Sequence, residues 1–180
     1  MEDLSLHILD IAENSIAAKA DKIEIRISED KEKDLLRIEV IDNGVGMDKK
    51  ILKKALDPFY TSKTVRRFGF GLSLLSEAAK AANGHLSVHS KKGEGTTIKA
   101  EFQHSHIDRQ PLGDIGQTII TLIIGNPETD FIFEHKRNGR TYGLDTRKIR
   151  AQLNEMPINS LAGMRLLREN LYKAQKPPTR

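Results

Sequence analysis

Cysteine is absent from all 180 residues, which excludes disulfides, thiolate metal sites and a thiol nucleophile. Long apolar runs are missing too. The longest, Ile119–Ile124, is interrupted by Thr121 and falls far short of the roughly 20 residues a membrane-spanning helix needs. The opening Met1-Glu2-Asp3 is acidic and lacks the basic-then-apolar order of a signal peptide, so the expected location is cytoplasmic. Aromatic residues make up only 5% of the chain, and no basic run interleaves with them as a nucleic-acid groove requires. Neither nucleic acid nor a membrane is therefore an expected partner. Residues 1–103 carry 17 Lys/Arg against 17 Asp/Glu, and residues 104–180 carry 12 against 8, so the whole net charge of +4 sits in the second part. An excess of that size reads as a solvated surface.

What is present suits one domain, or one domain with a small appendage. Leu4, Ile8, Ile11 and Ser15 recur at helical spacing, which predicts a helix from Leu4 to Lys19. Asp10 and Asn14 lie four apart on one side of it. They are either a polar edge of an amphipathic helix or a functional pair. In the second case the Asn14 amide oxygen would ligate a hard cation such as Mg²⁺, with Asp10 orienting or deprotonating a water beside it. Ile23, Ile25 and Ile27 alternate through a strand, Glu29–Asp34 is a charged turn, and Leu36, Ile38 and Val40 alternate back. That second strand delivers Asp42-Asn43-Gly44-Val45-Gly46-Met47. Two glycines one residue apart allow a sharp bend and close approach of something flat, and Asp42 can accept from a ligand amino group. The same letters are also an ordinary turn signal.

Asp48 reads as the N-cap of a short helix, Lys49–Leu56, stopped by Asp57-Pro58. Pro58-Phe59-Tyr60-Thr61-Ser62-Lys63 and the residues to Phe68 have no periodicity. They form either an exposed loop or a lid whose Lys63, Arg66 and Arg67 face an anionic ligand. Gly69-Phe70-Gly71 opens a helix from Leu72 to Asn83, with Gly84 expected at its C-terminal cap. Backbone N–H groups at such a helix start suit phosphate, yet no Lys-Ser/Thr follows the glycines and no strand precedes them, which excludes a P-loop and a Rossmann turn. Leu86 and Val88 begin a strand, Lys91–Gly95 turns, and Ile98, Ala100 and Phe102 alternate back. Thr96 and Thr97 at its start are either ligand hydroxyls or ordinary β-branched strand residues.

Taken in order, Asp10-x-x-x-Asn14, Asp42-x-Gly44-x-Gly46, Gly69-x-Gly71-Leu72 and Gly93-x-Gly95-Thr96 resemble the GHKL ATP-binding superfamily of gyrase, the large heat-shock chaperones, sensor histidine kinases and MutL. Residues 10–42 look most like MutL, while Pro58–Thr97 look more like a histidine kinase. The resemblance implies a Bergerat-type α+β fold, a mixed sheet covered by helices, with Mg-ATP as ligand. By the same resemblance Asn14 would hold the Mg²⁺, and Asp42, helped through water by Thr96, would accept from the adenine amino group. Gly44, Gly46, Met47 and Ala18 would line the adenine pocket. Gly69, Gly71 and Leu72 would offer N–H groups to phosphates, and Lys63 with Arg66 would be the lid cations. Hydrolytic members usually carry Glu where Asp10 stands, so a shortened base is expected to slow hydrolysis. Ala17 replaces a lysine that some histidine kinases carry. No histidine-bearing dimerisation helix is expected, and His7 lacks a phosphoacceptor sequence around it, so autophosphorylation is not expected.

Residues 1–103 are thus expected to be the ATP-binding domain, 104–113 a linker and 114–180 a small α+β appendage. In the last, Ile115–Ile124 is either an apolar helix or a buried strand, and Asn138-Gly139 turns a hairpin between Phe131 and Leu144. Thr146–Leu153, capped by Asp145, and Ser160–Lys173 read as helices. His104, His106 and His135 are expected to be surface histidines rather than metal ligands. Two functions fit: a Mg²⁺-dependent ATPase or protein kinase acting in trans, or a nucleotide-dependent switch that grips a protein partner with little turnover. The appendage would be the dock for that partner or a surface for homodimerisation.

Overall fold

Alternation of apolar residues builds the centre of the computed structural model, which describes residues 3–55 and 71–173. Strand β1 (Lys22–Asp30) buries Ile23, Ile25 and Ile27, and β2 (Leu35–Asp42) buries Leu36, Ile38 and Val40. Both therefore present one apolar face to the helices and one charged face to solvent. Strands β3 (His85–Lys91) and β4 (Gly95–Gln103) form a hairpin, as do β5 (Asp130–Arg137) and β6 (Arg140–Asp145). At the tip of the second hairpin Asn138 and Gly139 both have positive φ, as a tight hairpin turn demands.

Among the described residues the sheet order is β3-β4-β2-β1-β5-β6. All neighbours are antiparallel except β1 and β5, which run parallel. The sheet is mixed and helix-covered, as the resemblance implied. Residues 114–173, expected to form a hairpin and helices, do so, and their hairpin continues the same sheet through the β1–β5 pairing. The alternative left open at Ile115 resolves to a helix, α4 (Ile115–Gly125), whose N-cap Asp114 accepts from Gln117 N at 2.8 Å. Across the helical layer α1 (Leu4–Ala17) packs between α3 (Gly71–Ala81) and α4, α4 packs on α6 (Leu161–Lys173), and α6 on α5 (Thr146–Leu153).

Three local expectations change. Helix α1 stops at Ala17 because Lys19 turns left-handed (φ 60°). The left-handed residue after α3 is Asn83 (φ 53°), not Gly84. Gly84 is needed for a different reason: a Cβ there would lie 1.8 Å from the Glu101 carbonyl oxygen, so α3 can approach β4 only without a side chain. Third, the histidines are not all at the surface. Inward alternation along β5 takes His135 to 4% exposure.

There His135 Nε2 meets Glu29 Oε1 at 2.7 Å, and His104 Nε2 meets Glu29 Oε2 at 3.1 Å. Tyr142 bonds the other His135 nitrogen, and Arg137 Nε lies 3.6 Å from Glu29. No group of three or more His, Asp or Glu side chains among the described residues is arranged to hold a metal. The cluster instead ties β1, β5, β6 and the start of the 104–113 connector together. Farther on, the connector is tied down by Leu4 N donating to Pro111 O (2.9 Å) and by His7 Nε2 against Gln110 Oε1 (3.0 Å).

Burial pushes the His135 imidazole below its ordinary 6.5, and Glu29 only partly restores it. Burial pushes the Glu29 carboxyl up, but hydrogen bonds from His104 and His135 and the charge of Arg137 together outweigh it, leaving it below its ordinary 4.5. Unfolded His135 takes up a proton as pH falls through 6.5 while the folded residue takes one up only at lower pH, so stability falls as pH drops below 6.5. Glu29 contributes stability above pH 4.5 that is lost as pH falls through its lower folded value. We expect the melting temperature to fall from pH 7 to pH 5. The His135 share is at most one proton, about 1.4 kcal/mol per pH unit. His135→Gln, which keeps a donor for Glu29 but does not titrate, should flatten the pH 5–6.5 part of a calorimetric profile. An unchanged slope would assign the acid lability elsewhere.

Candidate functional site

Where β2 ends, the chain must turn beneath α1, and that turn shapes a cavity of about 200 Å³. Ending α1 at Ala17 leaves the Ala18 carbonyl free, and Val45 N donates to it at 2.9 Å. Gly44 fits because a Cβ there would sit 2.7 Å from that same oxygen. Gly46 (φ 61°) passes so close to the β3–β4 hairpin that a Cβ would lie 2.0 Å from Lys91 O. Asn43, by contrast, works structurally, its Oδ1 accepting from Asp21 N and Lys22 N at 3.1 and 3.0 Å.

Asp42 is the polar floor of the cavity and is 8% exposed. Its Oδ2 accepts from Ser15 Oγ at 2.7 Å, and its Oδ1 from Gly44 N at 2.9 Å. Two bonds fill only half of the acceptor sites of a carboxylate, so the group can still accept from a ligand. Thr96 stands opposite Asp42 in the β2–β4 ladder and is 9% exposed. The remaining walls are mostly apolar, from Ile11, Ala18, Val45, Met47, Ile51, Leu72 and Ile98. An apolar slot floored by one carboxylate, with the Ser15 and Thr96 hydroxyls beside it, suits a flat ring carrying an amino group.

Of the residues singled out from sequence, Asn14, Ala18, Asp42, Gly46, Met47, Leu72 and Thr96 line this one cavity. Gly44 lies just behind, bonded to Asp42. Asp10 and Gly71 meet beside it: a Cβ on Gly71 would lie 1.6 Å from Asp10 Oδ2. The Asp10 carboxylate thus lies against the first residue of α3, and burial pushes its carboxyl above the ordinary value. Lys63, Arg66, Arg67 and Gly69, with the rest of the expected lid, lie outside the described residues.

Sequence reasoning gave Ser15 no role at the site and named Gly95 only as a member of the fourth motif. Ser15 read as one more position on the buried face of α1, yet a hydroxyl on an apolar stripe, adjacent to Asn14, was the available signal. Gly95 (φ 98°) starts β4 so close to β2 that a Cβ would lie 2.0 Å from Asp42 O.

Comparison with known proteins gives the same outline. Residues 2–106 match the family described as histidine kinase-, DNA gyrase B- and HSP90-like ATPases. Among curated relatives, sensor histidine kinase YxdK of Bacillus subtilis is 36% identical over 90 residues, 48% of this chain and 27% of that protein. The non-motile and phage-resistance protein of Caulobacter vibrioides is 34% identical over 82 residues, 43% of this chain and 10% of that protein. The matched region is therefore about a quarter of the first relative and a tenth of the second. Among solved structures, the N-terminal domain of a DNA repair protein shares the fold at a TM-score of 0.57 and 19% identity, covering 96% of this chain and 57% of that one. The Aquifex aeolicus MutL ATPase domain complexed with ADP gives a TM-score of 0.51 and 16% identity, covering 97% of this chain and 70% of that one. With more than half of its length matched, the chain belongs to the family of histidine kinase-, DNA gyrase B- and HSP90-like ATPases and carries its ATP-binding domain within residues 2–106.

Proposed function

We propose that this chain is a Mg-ATP-binding regulatory protein with slow ATPase or trans-acting protein kinase activity. The observation that carries the reading is the buried Asp42 carboxylate, held by Ser15 and Gly44 on the floor of an apolar slot with acceptor sites to spare. Asp42 would bind the adenine amino group, and Met47, Ala18 and Leu72 would clasp the ring. Among the described residues Asn14 is the one side-chain amide lining the same cavity, and a single protein oxygen fits Mg²⁺, which keeps waters and phosphate oxygens as its other ligands. When bound, Mg-ATP supplies the phosphoryl group and the charge that neutralises it in transfer.

Asp10 is the candidate base. Its burial beside Gly71 raises its proton affinity, which moves a carboxyl toward the range useful for proton abstraction near neutrality. The residue would hold a water, or the hydroxyl of a protein substrate, and take its proton. An Asp here is one methylene shorter than the Glu usual in hydrolytic members, which favours slow turnover. The same shortening supports a second reading, a switch in which ATP alters the grip on a protein partner with little turnover.

Two substitutions test this. In calorimetric titration, Asp42→Asn should weaken ATP binding by on the order of 10- to 100-fold, the worth of a charge-assisted hydrogen bond. Undiminished binding would remove the base from this slot. Asp10→Asn should leave ATP affinity within a few-fold and lower turnover by on the order of 10²- to 10⁴-fold. It should also raise the melting temperature, because a group whose folded pKa is raised opposes folding at neutral pH. Native protein that binds ATP without measurable turnover would favour the switch.

A further inference from the structure

Helix α2 (Lys49–Ala55) concentrates charge of one sign. Four of its seven residues are lysines, and Lys49, Lys50, Lys53 and Lys54 are all exposed. Lys49 and Lys53, and Lys50 and Lys54, stand four apart, where like charges repel along a helix. Lys49 and Lys50 also crowd the positive end of the helix dipole, and no acidic residue lies in the first turn. Only the Asp48 cap, accepting from Lys50 N at 2.8 Å and Ile51 N at 2.9 Å, opposes them. Lys49, Lys50 and Lys53 make no salt bridge to a described residue. A seven-residue helix with Ala55 as its one buried residue is marginal by itself, so this self-repelling arrangement costs stability in the free protein.

The same surface has an apolar centre. Ile51 is 44% exposed and Val45 54% exposed, and both also line the cavity, which places them at its mouth. Val45 O accepts from Gly93 N at 2.8 Å. That bond brings the β3–β4 turn alongside and adds exposed Lys92, close enough to Asp48 to interact with its charge. Two exposed aliphatic side chains flanked by Lys49, Lys50, Lys53 and Lys92 complement a segment that carries acidic residues around an apolar anchor. None of these residues is aromatic, so the bases of a single strand would have nothing to stack on. We infer that this face of α2 docks an acidic protein segment through an apolar anchor set on Val45 and Ile51, and that the docked segment closes the cavity over its ligand. The inference rests on the nucleotide reading above only for the identity of that ligand, and it places a partner at the cavity mouth rather than on the appendage. Closure makes the two affinities reciprocal: the ligand tightens the segment, and the segment tightens the ligand by the same factor.

The test is fluorescence anisotropy with the full chain and a labelled peptide of glutamates carrying two leucines one helical turn apart, with melting curves for every variant. The native chain should bind this peptide about tenfold more tightly than Lys50→Glu/Lys53→Glu does. Saturating Mg-ATP should tighten native binding by about fivefold or more. Because the charge reversal relieves repulsion along α2, that variant should melt no lower than the native chain. Helix α2 packs on β3, whereas α5 and α6 pack on β5 and β6 at the opposite edge of the sheet. The same change of charge there, Lys148→Glu with Arg168→Glu, should leave the affinity within about twofold. Equal weakening by both pairs would reduce the effect to net charge and overturn the dock. So would equal binding of a glutamate-only peptide, since the apolar anchor would then play no part, or tighter binding of anionic phospholipid vesicles or single-stranded DNA. Peptide affinity unmoved by Mg-ATP, in a chain that calorimetry shows to bind Mg-ATP, overturns the closure. A chain that binds the peptide in this pattern but does not bind Mg-ATP keeps the dock and overturns the nucleotide reading instead.

Discussion

The hydrogen bond from Ser15 to Asp42 joins the two halves of the site, and much of the surrounding geometry exists to permit it. Ser15 belongs to the first helix and Asp42 to the end of the second strand. Burying a carboxylate at that junction is costly unless it is bonded, and the Gly44 amide supplies the second bond. For that amide to reach Asp42, the chain must double back at once, and three glycines make room. Gly44 clears Ala18, Gly46 clears Lys91, and Gly95 clears Asp42's own carbonyl. The way β2 turns and the closeness of β4's start both serve a single carboxylate.

Much of this was legible in the sequence. Apolar alternation marked β1 and β2, Asp48 and Asp145 marked helix starts, and Asn138-Gly139 marked a hairpin, because each signal is local and has one physical cause. The four glycine- and carboxylate-bearing motifs also appeared in order, and the fold brings their described members to one cavity and its rim. What stayed hidden was non-local. Ser15 looked like part of an apolar stripe until its partner 27 residues away came into view. Gly84 looked like a helix cap because nothing in the sequence states how near β4 will pass. His135 looked like a surface residue because its burial depends on a parallel strand pairing with β1, more than 100 residues upstream.

The two ends of β1 do different work. Ile23 pairs with Asp42 beside the cavity, whereas Glu29 sits at the far end among His104, His135, Tyr142 and Arg137. At about 3.3 Å per residue they are roughly 20 Å apart. The cavity lies at one end of the strand. At the other, a buried acid–imidazole cluster ties the first part of the chain to the last strands. A change in protonation there acts on fold stability, and the strand's length keeps it away from the residues that line the cavity.

That parallel pairing carries a cost during synthesis. Strand β1 finds β2 within a few residues but waits for β5, whose last paired residue is Arg137. At ribosomal speeds the interval is on the order of ten seconds, during which one edge of an isoleucine-rich strand has open backbone groups and no neighbour. The unfinished edge is a template for wrong pairing with another nascent copy. Yield of correctly folded chain should therefore depend on translation rate and on chaperones that shield strand edges, independently of any ligand.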